Sequence, residues 1–199
     1  MNKKIIDHFK KNDPVLYSVI KNVGVHGPKT SADHFLELCE IIINQQLSDK
    51  AAATIFARFK RLFPQEKIKP RALLKLETEK IRSCGTSKAK VSFLKDLAKK
   101  IVTEELRLDQ LDKLSDELIM KELTQVKGIG PWSVEMFLMF TLGREDVFSH
   151  GDLGLKNAIK KLYKFKKDPS KKQIEKIVEK WKPYRTYACR ILWKSLEIK

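Results

Sequence analysis

Leu123–Leu155 reads LTQVKGIGPWSVEMFLMFTLGREDVFSHGDLGL, and its reading decides how the rest of the chain is understood. A Gly128-Ile129-Gly130-Pro131 turn separates two apolar segments. Glycine permits a tight turn that exposes main-chain N–H groups, and Pro131 suits the first turn of a following helix. A helix N-terminus entered through such a turn is a natural seat for phosphate. Further on, Asp152 stands in a short Gly-Asp-Leu-Gly-Leu run. In a chain of net charge +16 the expected phosphate is that of nucleic acid. A carboxylate beside such a backbone is repelled unless it does chemistry there. Asp152 also suits the N-cap of a helix beginning at Leu153, and the two roles are compatible.

Outward from this stretch, the basic excess is uneven. Leu153–Lys199 holds 15 Lys/Arg against 4 Asp/Glu, so this tail carries +11 of the total. A well-solvated helical surface would also account for many lysines, but the concentration favours a polyanion partner. With 199 residues, 42% hydrophobic and 33% charged, the chain fits one soluble globular domain, or one two-lobed unit, over residues 1–199. Cys39, Cys84 and Cys189 are too dispersed for a disulfide framework or a metal knuckle, which favours an intracellular, reducing compartment. No signal peptide or membrane span is expected, nor any membrane partner.

Helical periodicity dominates. Val91, Leu94, Leu97, Ala98, Ile101 and Val102 recur at helical spacing, as do Leu118, Ile119 and Leu123. Asp13-Pro14, Ser31, Ser48 and Ser115 each precede an apolar helical pattern and read as helix starts. The expected class is all-α with about ten helices. Ile43-Asn44-Gln45-Gln46-Leu47-Ser48 closes one apolar helix with three carboxamides in a row. Amides there can bond stray carbonyls at the helix end, or contact base edges.

Taken together, Leu123–Trp132 and Asp152 resemble the helix-hairpin-helix, Gly/Pro-rich loop and aspartate of the helix-hairpin-helix (HhH-GPD) DNA glycosylases, and most closely the 3-methyladenine DNA glycosylase II type. Asn44–Ser48 resembles the loop that this branch inserts into DNA. Gly85-Thr86-Ser87-Lys88-Ala89-Lys90 resembles its mid-domain turn, and Trp181–Ala188 with Trp193 its C-terminal helix. The resemblance implies a two-lobed, all-α glycosylase fold with its active site in the cleft between lobes, and with the hairpin and catalytic loop at about residues 115–160. It implies repair of double-stranded DNA containing alkylated purines, by a monomer.

Residue by residue, the resemblance assigns Asp152 to catalysis, beneath a sugar that gains positive charge as its base departs. Trp132, Met136 and Trp193 would line the base pocket. Gln46 would fill the gap left by the extruded base, with Gln45, Leu47 and Ser48 beside it. Lys127, Gly128, Gly130 and Trp132 would meet the DNA strand. Carbonyls of Thr124, Val126 and Ile129 would hold a structural Na+ or K+, and no cofactor serves the chemistry.

The departures are informative too. Relatives that cut the strand place a lysine two positions after the second hairpin glycine, where this chain has Trp132, so no Schiff-base lyase activity is expected. An iron–sulfur cluster would need four closely spaced cysteines. With 43 residues before Asn44, an N-terminal β domain is not expected. Ser149-His150-Gly151 replaces a proline common before the aspartate, and His150 is given no catalytic role. Two other readings stay open: the same fold acting on hypoxanthine or uracil, and a noncatalytic helix-hairpin-helix DNA-binding module.

Overall fold

The computed structural model describes residues 3–28 and 30–197. Among these residues there are twelve α-helices and no strand: α1 (Lys3–Asn12), α2 (Pro14–Val23), α3 (His34–Asn44), α4 (Asp49–Lys60), α5 (Pro70–Lys75), α6 (Thr78–Arg82), α7 (Lys88–Val102), α8 (Asp116–Leu123), α9 (Pro131–Phe140), α10 (Leu153–Leu162), α11 (Lys171–Val178) and α12 (Arg185–Glu197). Three 3-10 segments, at Pro64–Glu66, Leu108–Lys113 and Glu179–Trp181, complete the list. The count exceeds the ten expected because α5 and α6 have only six and five residues. Helices that short leave no periodic pattern to read.

Local chemistry sets the helix starts. Asp13, Ser48, Ser87, Ser115, Asp152 and Ser170 each accept a main-chain N–H from the first turn of the helix that follows. One expected start moves. Asp33, not Ser31, caps α3 by accepting from Leu36 N–H at 3.1 Å. Both residues suit a cap, and the carboxylate lies next to the first helical residue.

The chain divides into two compact units, Met1–Thr30 with Leu138–Lys199, and Ser31–Phe137. In the second unit α7 is the central element, packed by α3, α5 and α6. Its Val91, Leu94, Leu97 and Ala98 are buried, matching the periodicity. Against them lie Leu38, Cys39, Ile42 and Ile43 of α3, all fully buried. Of the apolar residues expected inward on α8, Ile119 and Leu123 are buried but Leu118 is 48% exposed.

In the first unit α12 packs against α2 and α10. A buried polar knot ties its elements. Asp13 is 1% exposed and caps α2 through Leu16 N–H at 3.1 Å. Its second oxygen accepts from the Tyr163 hydroxyl at 2.5 Å and the Trp181 indole at 2.9 Å. Burial, reinforced by the bond to Asp13, pushes the Tyr163 phenol up, so it stays a donor. The carboxylate therefore joins α2, the C-terminal end of α10 and the Glu179–Trp181 segment. Asp13→Ala removes a cap and strands the buried Trp181 donor and the part-buried Tyr163 donor. It should cost about 3 kcal/mol or more in urea unfolding; a loss under about 1 kcal/mol would mean the knot is decorative.

Candidate nucleic-acid interface and active site

The hairpin consists of α8, the connection 124–130 and α9. Thr124 ends α8, its hydroxyl donating to Met120 O at 2.7 Å. Gly128 takes φ +76°, and a Cβ placed there would fall 2.1 Å from the Phe93 ring. Glycine is thus required twice, by backbone sign and by the aromatic ring beneath. Gly130 differs. Nothing lies within 4 Å of a Cβ built on it. The folded chain gives no steric reason for that glycine, which leaves room for something outside the chain to approach its backbone.

Two side chains set the turn from other helices of the same unit. Asp96 of α7 accepts Lys127 N–H at 2.9 Å, with the Lys127 ammonium 4.0 Å away. That N–H is therefore already committed, whereas the Lys127 side chain is largely exposed. Gln45 reaches the other side of the turn: its Nε2 donates to Gly128 O at 2.8 Å and to Ser133 Oγ at 3.0 Å. Val126 O accepts from Ile129 N at 3.1 Å. A carbonyl has two lone pairs, so this leaves capacity for another partner.

The carboxamide run begins where α3 ends. Lys90 Nζ donates to Ile43 O at 2.8 Å and to Gln45 O at 2.7 Å, so a lysine rather than an amide satisfies these helix-end carbonyls. Burial pulls the Lys90 ammonium below its ordinary value. Gln46 follows at φ +57°, a left-handed conformation that costs a non-glycine residue about 1–3 kcal/mol. Gln46 and Leu47 are exposed, and Ser48 caps α4.

Asp152 caps α10. Its Oδ1 accepts Leu155 N–H at 2.8 Å and the Trp193 indole N–H at 3.0 Å. Gly154 is packed against that pair: a Cβ there would lie 3.1 Å from Asp152 Oδ1 and 3.2 Å from Trp193 Cδ1. The loop leading to Asp152 is stitched to the start of α12. Arg185 grips Asp146 through Nε–Oδ1 at 2.7 Å and Nη2–Oδ2 at 3.1 Å. Thr186 Oγ1 donates to Arg144 O at 2.6 Å and accepts Val147 N–H at 3.1 Å. Trp193 lies further along the same helix, so α12 sets both the loop and the indole that meets its aspartate. His150 stands edge-on to Phe148, and partial desolvation of its ring pulls its pKa down.

Trp132 is 36% exposed at the start of α9, while Met136, one turn later, is 7% exposed. Trp193 is half-buried and leans on Phe140 at 5.8 Å between ring centroids. Leu47, Trp132 and Leu153 are among the few large exposed apolar side chains, each at or beside an expected site residue. The structure thus brings Gln45 to the hairpin and Trp193 to Asp152. Lys90, Asp96, Ser133 and the Arg185–Asp146 clamp were not singled out in the sequence as site residues. One signal did exist for Lys90: a lysine in a helix's first turn opposes the helix dipole and so invites another explanation.

A family model described as HhH-GPD superfamily base excision DNA repair protein matches residues 39–183. DNA-3-methyladenine glycosylase 1 of Schizosaccharomyces pombe is 35% identical over 189 residues, spanning 90% of this chain and 81% of that one. The solved structure of the S. pombe 3-methyladenine DNA glycosylase (Mag1) in complex with abasic DNA matches with a TM-score of 0.91 at 33% identity, covering 98% of each chain. The crystal structure of DNA-3-methyladenine glycosidase from Bacillus halodurans matches with a TM-score of 0.82 at 34% identity, covering 98% of this chain and 89% of that one.

The two hairpin glycines should separate by substitution. Gly128→Ala should lose about 2–4 kcal/mol in urea unfolding, through the left-handed backbone and the Phe93 clash. Gly130→Ala should stay within about 0.5 kcal/mol of the parent. Equal losses at both would place the constraint in the turn as a whole.

Proposed function

This chain belongs to the HhH-GPD superfamily of base excision DNA repair proteins, and from that footing we propose that it is a monofunctional DNA glycosylase releasing alkylated purines such as 3-methyladenine and 7-methylguanine. The observation that carries the reading is the Asp152 carboxylate, fixed by Leu155 N–H and the Trp193 indole on a loop clamped to α12. Asp13 is also a cap with further donors, but it is 1% exposed, whereas Asp152 is only half-buried and stays within reach of a group from outside the chain.

In this reading the damaged nucleotide rotates out of the duplex and Gln46 fills the gap, flanked by Leu47 and Ser48. Trp132, Met136 and Trp193 are the residues that the family resemblance assigns to the damaged base. A cationic methylated purine gains from electron-rich indole faces, on the order of 2 kcal/mol when desolvated. The glycosidic electron pair leaves with the base. Asp152 stabilises the positive charge that develops on the sugar, and water adds to the anomeric carbon with loss of a proton. Trp132 stands where a lyase would carry its amine, so the product is an abasic site in an uncut strand.

Anchorage falls to the hairpin. Main-chain groups around Gly128, Gly130 and Trp132, with the Lys127 side chain, face the phosphates. Carbonyls of Thr124, Val126 and Ile129 are hard oxygen donors that suit a Na+ or K+ ion bridging to phosphate. Base release does not pass through that ion.

Asp152→Asn tests the mechanism. Single-turnover release of methylated purines should fall by about 10²–10³, as when a transition-state charge partner is lost, while DNA affinity stays equal or rises. Near-parental excision would reduce Asp152 to a cap. With the parent enzyme, borohydride should trap no covalent adduct and the strand should stay intact. A trapped adduct would mean that an amine such as Lys127 or Lys156 serves as nucleophile.

A further inference from the structure

We propose that Gln45 is a positioning residue that couples the hairpin to the inserting loop, its two amide N–H donors spent within the protein rather than on DNA. This rests on the glycosylase reading above. Both hydrogens of its amide nitrogen are engaged, one by Gly128 O at 2.8 Å and one by Ser133 Oγ at 3.0 Å. An amide nitrogen has two donors and no more. Its main chain is held as well, because Lys90 Nζ takes the Gln45 carbonyl at 2.7 Å and the Ile43 carbonyl at 2.8 Å. One residue is thus pinned by its side chain to the hairpin and by its carbonyl to α7.

The next residue is Gln46, exposed and held at φ +57°. A strained conformation persists only where its surroundings over-determine it. Those surroundings are Lys90 and Gln45 on one side and the Ser48 cap of α4 on the other. The hairpin is pinned reciprocally. Asp96 takes Lys127 N–H and Gln45 takes Gly128 O, so two adjacent turn residues are held from α7 and from the loop. When phosphate engages the hairpin, the surface that presents Gln46 is already registered to it. Sequence order alone cannot supply this link, since Gln45 and Gly128 are 83 residues apart.

The test uses the full chain with Gln45→Ala, Lys90→Met and Gln46→Ala, each checked for fold by circular dichroism and thermal melting. A duplex with a central 2-aminopurine mispaired with cytosine reports base extrusion by fluorescence per bound complex, independently of any chemistry. Single-turnover release of 7-methylguanine is then compared on two duplexes. In one it faces cytosine. In the other it faces a tetrahydrofuran abasic analogue, where extrusion leaves no orphaned partner base for Gln46 to meet.

Gln45→Ala and Lys90→Met should keep DNA affinity within about threefold, lose most of the fluorescence rise, and slow excision opposite cytosine by on the order of tenfold, the usual scale for a lost hydrogen bond or two. Opposite the abasic analogue the defect should largely vanish. Combining Gln45→Ala with Gln46→Ala should add little to either alone, since both act in one step.

Equal slowing on both duplexes, with a lowered melting temperature, would overturn the proposal in favour of a purely structural role. A large loss of affinity with unchanged fluorescence per bound complex would overturn it in favour of direct DNA contact. If the parent enzyme releases no base from either duplex, the glycosylase reading fails, while the fluorescence comparison still decides the role of Gln45.

Discussion

The bond from the Trp193 indole to the Asp152 carboxylate is where the first unit converges. Asp152 ends a loop of mixed sequence, and loops of that kind rarely hold a charged group still without help. Here the help comes from one helix. Arg185 and Thr186 fix the loop upstream of the aspartate, and Trp193, two turns along α12, fixes the aspartate itself. The helix is in turn seated on α2 and α10. Through Asp13, α2 is joined to Tyr163 and Trp181. Helix packing together with part-buried polar contacts therefore leads from α2 to the carboxylate. Such preorganisation is what a group needs if it must meet a developing charge without first rearranging.

The second unit follows the same logic with a different chemistry. Its hairpin presents main-chain atoms, whose positions depend on the turn holding its shape. Gly128 fixes that shape by sterics, Asp96 and Gln45 by hydrogen bonds. Gly130 stays open. Rigid support on one side and open backbone on the other is the arrangement expected of a surface that receives an external phosphate.

The helices were legible where burial imposes a period. Val91, Leu94, Leu97 and Ala98 show α7 plainly, and Asp13, Ser48 and Ser115 mark helix starts that the structure reproduces. Short helices were not legible, because five or six residues complete less than two turns. Asp152 and Trp193 could each be named from motifs, but their hydrogen bond joins residues 41 positions apart and has no local signature. Gln45 illustrates the same limit. Its carboxamide suited either a helix-end bond or a base contact, and only the fold shows it reaching the hairpin. Lys90 carried a hint in its first-turn position, though nothing in the sequence named the carbonyls it would meet.

The central claim is that this constellation removes alkylated purines from DNA by hydrolysis. Its most direct test is to incubate the protein with randomly methylated DNA and identify the free bases by chromatography, normalised to unaided release. The account expects 3-methyladenine and 7-methylguanine to be released well above background with the strands intact. Absence of any released base, or faster normalised release of uracil or hypoxanthine from matched duplexes, would contradict it.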